Sequence, residues 1–171
     1  MKAASARDVF RALLDAEVRF IVVGGLAVNV HGLLRVTADI DLVIQLEAGN
    51  VARAFAALER LGYRPVIPVT AAQFADATTR EGWVRDRHMR VLGFHSDRHP
   101  DTPVDIFASE PFPFEDEHDR AVVRELAGVG GVRVVSLATL QRMKQQAGRP
   151  RDLADLEDLR LGSDRGEDPN E

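Results

Sequence analysis

The chain is expected to fold as α/β, with short apolar strands alternating with amphipathic helices. Three observations predict this. Phe20 to Val23 is a run of β-formers long enough for a buried strand, and Gly24-Gly25 ends it. Leu26, Ala27, Val30, Leu33 and Leu34 then follow at roughly helical spacing, so the turn feeds a short helix. A composition of 45% hydrophobic and 29% charged residues over 171 residues is that of one soluble domain with a real core. No linker or repeat divides the sequence, so residues 1–161 are read as a single domain and 162–171 as an acidic tail, expected to be disordered.

The elements follow in order. Ser5 to Glu17 carries Val9, Phe10, Leu13 and Leu14 on one helical stripe. Asp39 to Ile44 is a strand opening on two carboxylates. Glu47 to Leu61 is a helix with Val51, Phe55, Leu58 and Leu61 inward, stopped by Gly62. Tyr63 to Val66 is a strand ahead of Pro68, and Thr70 to Arg80 a weak helix. Arg87 to Phe94 and Val104 to Phe107 are strands, the second entered through Pro103. Glu110 to His118, rich in proline and acids, is expected to be a loop. Ala121 to Leu126 and Gly131 to Val135 flank a glycine-rich turn. Ser136 caps a helix running to Ala147, and Pro150 opens a short C-terminal helical segment running to Leu161.

Several classes of function are excluded or disfavoured. There is no cysteine, hence no disulfide, thiol nucleophile or Cys-ligated zinc. The N-terminal residues have no apolar signal-peptide core, and no apolar run approaches a membrane span, so a cytoplasmic protein without membrane association is expected. The net charge is −5. Residues 152–171 hold eight acids against Arg160 and Arg165, so the body of the chain is close to neutral and the charge names no partner.

The chemistry sits around Asp39 and Asp41. Side chains two apart on a strand share a face, with Cα atoms about 6.6 Å apart. The two carboxylates therefore point one way, and Ile40 and Leu42 point into the opposite layer. Like charges so placed repel, and a divalent cation resolves the conflict; Mg²⁺ favours one or two carboxylates together with phosphate oxygens. Upstream, Gly24 and Gly25 allow a ligand close to the backbone, and a helix starting there aims free N–H groups at the turn, which suits a phosphate. A phosphate cradle followed by a carboxylate pair points to metal-assisted phosphoryl chemistry.

The pattern Gly24-Gly25-x-Ala27, His31-Gly32, Arg35-x-Thr37-x-Asp39-x-Asp41 resembles motif I of the DNA polymerase β-like nucleotidyltransferase superfamily. It is most similar to the minimal bacterial members, among them abortive-infection toxin-type and lincosamide-type nucleotidyltransferases. The resemblance implies a mixed sheet with packed helices, a nucleoside triphosphate (NTP) held at the glycine turn, and two Mg²⁺ ions bound by the motif aspartates with a third on a neighbouring strand. Asp105, the lone acid of an apolar strand, needs a partner or a metal if buried. The resemblance makes it the third ligand and the base for the acceptor; Asp97 and Asp101 compete for that place but sit in loop-like sequence.

Only Lys2 and Lys144 among the 22 basic residues are lysines. Lys144 falls on the apolar stripe of its helix, where it either snorkels or points into a site. Lys144 and Ala147-Gly148-Arg149-x-Arg151-Asp152-x-x-Asp155-Leu156 resemble the C-terminal motif of the abortive-infection branch, whose lysine is placed on the nucleotide phosphates. Arg149, Asp152 and Asp155 fit that motif, yet a helix break and a first-turn acid explain them nearly as well. His31 reads equally as a core histidine. Arg35 and Thr37 flank the carboxylates and either touch phosphate or brace the loop.

The resulting expectation is a metal-dependent transfer of a nucleoside monophosphate from an NTP to a hydroxyl acceptor, with pyrophosphate released. Asp39, Asp41 and Asp105 hold metal and do the chemistry, while Gly24, Gly25, Arg35, Thr37 and Lys144 face the nucleotide. A tRNA acceptor and a cognate antitoxin are expected partners on the toxin-type resemblance. Arg80, Arg85, Arg87, Arg90 and Arg98, with Trp83 to stack, offer an RNA surface if they are not simply a solvated hairpin face. The rivals are an aminoglycoside- or lincosamide-type drug-modifying transferase and a non-catalytic binding module on the same scaffold.

Overall fold

A computed structural model describes residues 1–33 and 35–164. Helix α1 (Ala3–Asp15) leads into β1 (Phe20–Val22), α2 (Gly24–Val30) and β2 (Ile40–Ile44). Then come α3 (Ala48–Arg60), β3 (Tyr63–Pro65), α4 (Ala71–Ala75), α5 (Ala77–Arg87), β4 (Val91–Ser96) and β5 (Val104–Phe107). The remainder is α6 (Phe114–Arg120), the hairpin β6 (Val122–Leu126) and β7 (Gly130–Val134), and helices α7 (Leu137–Ala147) and α8 (Pro150–Asp164).

The strands form one mixed sheet in the order β3-β4-β5-β2-β1-β7-β6. Strands β2 and β5 run parallel, as do β1 and β7, and the other neighbours are antiparallel. In the parallel pair, Ile40 stands beside Val104, Asp41 beside Asp105 and Leu42 beside Ile106. All four aliphatic members are fully buried, so alternation turns both aspartates to the opposite face. Helix α1 packs against α3, and their Val9, Leu13, Val51 and Leu58 join these aliphatics in one core. Phe10 stacks on Phe20, and Phe55 meets Phe94 edge-on at 5.1 Å.

At the end of β1–β2 away from the glycine turn, buried Asn50 closes the ladder. Its amide accepts from the Arg19 N–H and donates to the carbonyls of Arg19 and Gln45, so no buried polar group there goes unpaired.

Several boundaries differ from the expectation, each for a local reason. The Gly24 helix ends at Val30, because Gly32 takes φ +97° and the Asn29 amide binds both the N–H and the carbonyl of Arg35. Leu33 therefore lies beyond the helix, and Leu34 falls outside the described residues. The expected loop 110–118 instead runs from residue 114 into α6. Its prolines lie ahead of the helix, and Glu115, Asp116 and Glu117 fill the first turn, where the dipole favours acids. The single helix expected over 70–80 is two. Thr70 caps the first in a capping box with Gln73, and Asp76 caps the second by accepting from the Thr79 N–H. Helix α5 then runs to Arg87 and stops at left-handed His88, so β4 starts only at Val91. The C-terminal helix continues past Leu161 to Asp164, and residues 165–171 of the expected tail lie outside the described residues.

Candidate active site

Asp41 and Asp105 owe their juxtaposition to the β2–β5 register, and Asp39 stands one residue ahead of β2. One carboxylate oxygen of each lies within 4.8 Å of the others. This is the only such group of potential metal-binding side chains among the described residues. Burial, and then the charges of Asp39 and Asp105, push the Asp41 carboxyl up to about 6. Burial and Asp39 raise Asp105 as well. Three hard oxygen donors whose charges oppose one another fit a divalent cation of the Mg²⁺ kind.

The glycine turn is fitted to these acids. Gly24 takes φ +64°, and a Cβ there would fall 2.6 Å from the Asp41 carboxyl carbon. The Gly25 N–H donates to the Asp41 carboxylate, and a Cβ on Gly25 would strike the Thr37 hydroxyl. The Thr37 hydroxyl in turn donates to Asp39 Oδ1 at 3.0 Å. Both glycines thus allow the backbone to close on the aspartate cluster itself, a use that spacing alone did not reveal.

A cavity of about 670 Å³ opens over the cluster. Gly24, Gly25, Arg35, Thr37 and Lys144 all line it, so every residue expected at the site meets there. Asp97 and Asp101 do not: they pair with Arg64 and Lys2. His31 donates from Nε2 to the Val135 carbonyl at 2.8 Å, the bond of a structural histidine. Of the basic stretch, Arg80, Arg85 and Arg87 lie on α5, while Arg90 and Arg98 flank β4. Arg90 alone of these five arginines lines the cavity, while Arg80 is buried against the Phe74 carbonyl and Arg85 pairs with Asp86.

Lys144 does not snorkel. It is 5% exposed, with Nζ 2.6 Å from Asp155 Oδ2 and 3.3 Å from Asp152 Oδ1. Arg35 pairs with the same Asp155 oxygen. The Asp-x-x-Asp spacing puts both acids on one side of α8, a signal present in the sequence but equally compatible with a solvated helix face. Gly93 went unnoticed there too. It faces Asp105 across β4–β5, where a Cβ would come within 3.2 Å of Asp105 Oδ1.

A family model described as "Nucleotidyl transferase AbiEii toxin, Type IV TA system" matches residues 7–167. The chain belongs to the AbiEii nucleotidyltransferase family. It is a nucleotidyltransferase of a toxin–antitoxin family. Among solved structures it is similar to the antibiotic-resistance factor ANT(2″)-Ia. The solution structure aligns with TM-score 0.54 at 15% identity, over 94% of this chain and 84% of that one. The crystal structure with adenylyl-2″-tobramycin aligns with TM-score 0.57 at 15% identity, over 95% and 90%. At that identity the likeness is one of fold. A comparison with curated protein sequences gives no match. Among the described residues, no helix is long and apolar enough to cross a membrane.

Proposed function

We propose that this AbiEii-family enzyme transfers a nucleoside monophosphate from an NTP to a hydroxyl of a macromolecular acceptor, with tRNA the first to test. The observation that carries the proposal is the convergence of Asp39, Asp41 and Asp105 under one cavity, their oxygens within 4.8 Å. Asp39 and Asp41 would hold Mg²⁺, with Asp105 as third ligand. Bound there, the metal would neutralise phosphate charge and polarise the bond to the leaving pyrophosphate. Asp105 takes the proton from the acceptor hydroxyl, whose oxygen joins the α-phosphorus as pyrophosphate departs. Thr37 and Gly25 fix the two motif carboxylates from behind, while Gly24 and Gly25 keep the turn open to the triphosphate and Arg35 and Lys144 face it. Catalysis comes mainly from positioning and charge neutralisation.

Arg90, Arg149 and Arg151 also line the cavity, which supports an anionic acceptor such as RNA. The family description supports a cognate antitoxin as partner. A drug-modifying transferase is the second reading, favoured by the fold likeness to ANT(2″)-Ia over nearly the whole chain.

Incubation with each α-labelled NTP, MgCl₂ and either cell extract or purified tRNA tests the proposal. Label is expected on a macromolecule, and EDTA should abolish it. Asp39→Asn and Asp41→Asn should each abolish transfer with the circular dichroism spectrum unchanged, since neither side chain belongs to the apolar core. Label on an added aminoglycoside alone would favour the second reading. Wild-type turnover in either variant would overturn the carboxylate assignment.

A further inference from the structure

The Lys144–Asp155–Arg35 arrangement is unusual in its economy of acceptors. Two cations from separate parts of the chain, one on α7 and one in the segment before β2, converge on the same carboxylate oxygen of α8. Asp152 supports Lys144 from one turn earlier on α8. Side chains this enclosed carry charge only when paired, and two cations drawn so close would repel without an anion between them.

The pairing is also incomplete. Arg35 Nε and Asp152 Oδ2 are buried without a hydrogen-bond partner among the described residues. Lys144 has three N–H donors and spends two on these carboxylates. Each cation therefore keeps donor capacity while Asp155 holds it, and both line the cavity above the aspartate cluster. The Lys144 charge reaches that cluster, since it acts on Asp41.

We propose that Asp155 is a positioning residue, which sets Arg35 and Lys144 side by side as a two-cation clamp for the β- and γ-phosphates of the NTP. This rests on the function proposed above and adds to it a part for α8. Leu156 and Leu159 are buried, and Arg151 donates to the Val36 carbonyl at 3.0 Å, so the helix that carries Asp155 is tied to both α7 and the pre-β2 segment. A carboxylate on such a helix fixes two flexible side chains in one step.

Calorimetry with MgCl₂ and ATP, CTP, GTP or UTP identifies the tightest-bound nucleotide for the wild type. Asp155→Asn should weaken that triphosphate roughly tenfold, the effect of one charge-assisted hydrogen bond, and leave the matching monophosphate unchanged. Mn²⁺ affinity at the aspartate cluster should not move. In a Lys144→Met background the same Asp155→Asn change should cost far less, because one of the cations to be held is gone. That double variant removes both charges of the pair and keeps the comparison available where a single variant melts. Asp155→Glu, which keeps the charge but displaces it, should also weaken the triphosphate.

Triphosphate binding by Asp155→Asn as tight as the wild type or tighter would overturn the proposal, the second case making Asp155 a competitor of the phosphates. Equal losses in the two backgrounds would overturn it as well. If the wild type binds none of the four triphosphates, the proposed function itself falls and takes the clamp with it.

Discussion

Gly24 is the residue where backbone and chemistry meet most tightly. Its φ of +64° disfavours any side chain, and the place of a Cβ is already taken by the Asp41 carboxyl group. The left-handed conformation alone costs a Cβ-bearing residue about 1–2 kcal/mol. The greater effect falls on Asp41, which would have to retreat. We expect Gly24→Ala to lower transfer at least about hundredfold, as misplacements near 1 Å do, and to weaken Mn²⁺ binding in parallel. Equilibrium Mn²⁺ titration and labelled-NTP transfer check both. Wild-type Mn²⁺ affinity would mean that the aspartate does not move. The Asp39/Asp41 pair was legible in the sequence because a strand's period of two is fixed. The fit of Gly24 to Asp41 was not legible, because it depends on how α2 is folded back against β2.

At the scale of elements, α7 is held at its start by a residue from elsewhere. Glu117 of α6 is 2% exposed and accepts from the Ser136 N–H at 2.7 Å and from the Thr139 hydroxyl. It thus satisfies donors at the first turn of the helix that carries Lys144. Glu117→Gln replaces an oxygen by a donor against that hydroxyl and should destabilise the protein by about 1–3 kcal/mol. Urea denaturation measures it, and an unchanged midpoint would make the contact dispensable. Sequence signals were good for α7 itself: Ser136 as cap, and Gly148 at φ +61° as stop. They failed for α6, where prolines and acids imitate a loop. Glu117 reads as a surface acid until the hairpin β6–β7 returns the chain to it. The Asp152–Asp155 pair was ambiguous for the same reason, since its meaning lies in Lys144 and Arg35 on other elements.

For the molecule as a whole, the aspartate cluster is a local cost to folding when no cation is bound. The Asp41 carboxyl rises from 3.8 to about 6 on folding, so the folded chain holds that proton more tightly than the unfolded one. The stability this supplies is full below the unfolded value and is lost as pH rises through about 6. In EDTA, the Asp41 contribution should fall by ~3 kcal/mol across that window. MgCl₂ should act in the opposite sense, raising the melting temperature more at neutral pH than at pH values below the Asp41 midpoint, because protons compete for the same oxygens. Melting curves across pH, with and without metal, decide it; a metal-induced shift independent of pH would count against Asp41 as a ligand. The α/β class and most of the order of the elements were readable from alternation and spacing. The strand order was not, because the β2–β5 register joins residues 64 positions apart in the chain, as Asp41 and Asp105 are.

That register bears on how the protein comes into being. Asp41 emerges early in synthesis, but its neighbour Asp105 arrives only with β5, after α3, β3, α4, α5 and β4. The strand that flanks β1 on its other side, β7, comes later still. Contacts so distant along the chain close late in folding, because loop entropy must be overcome first. A nascent chain stopped before β5 would hold two carboxylates with no strand to align the third. A nucleotidyltransferase of a toxin family built this way would lack its complete aspartate cluster until β5 has emerged and paired with β2.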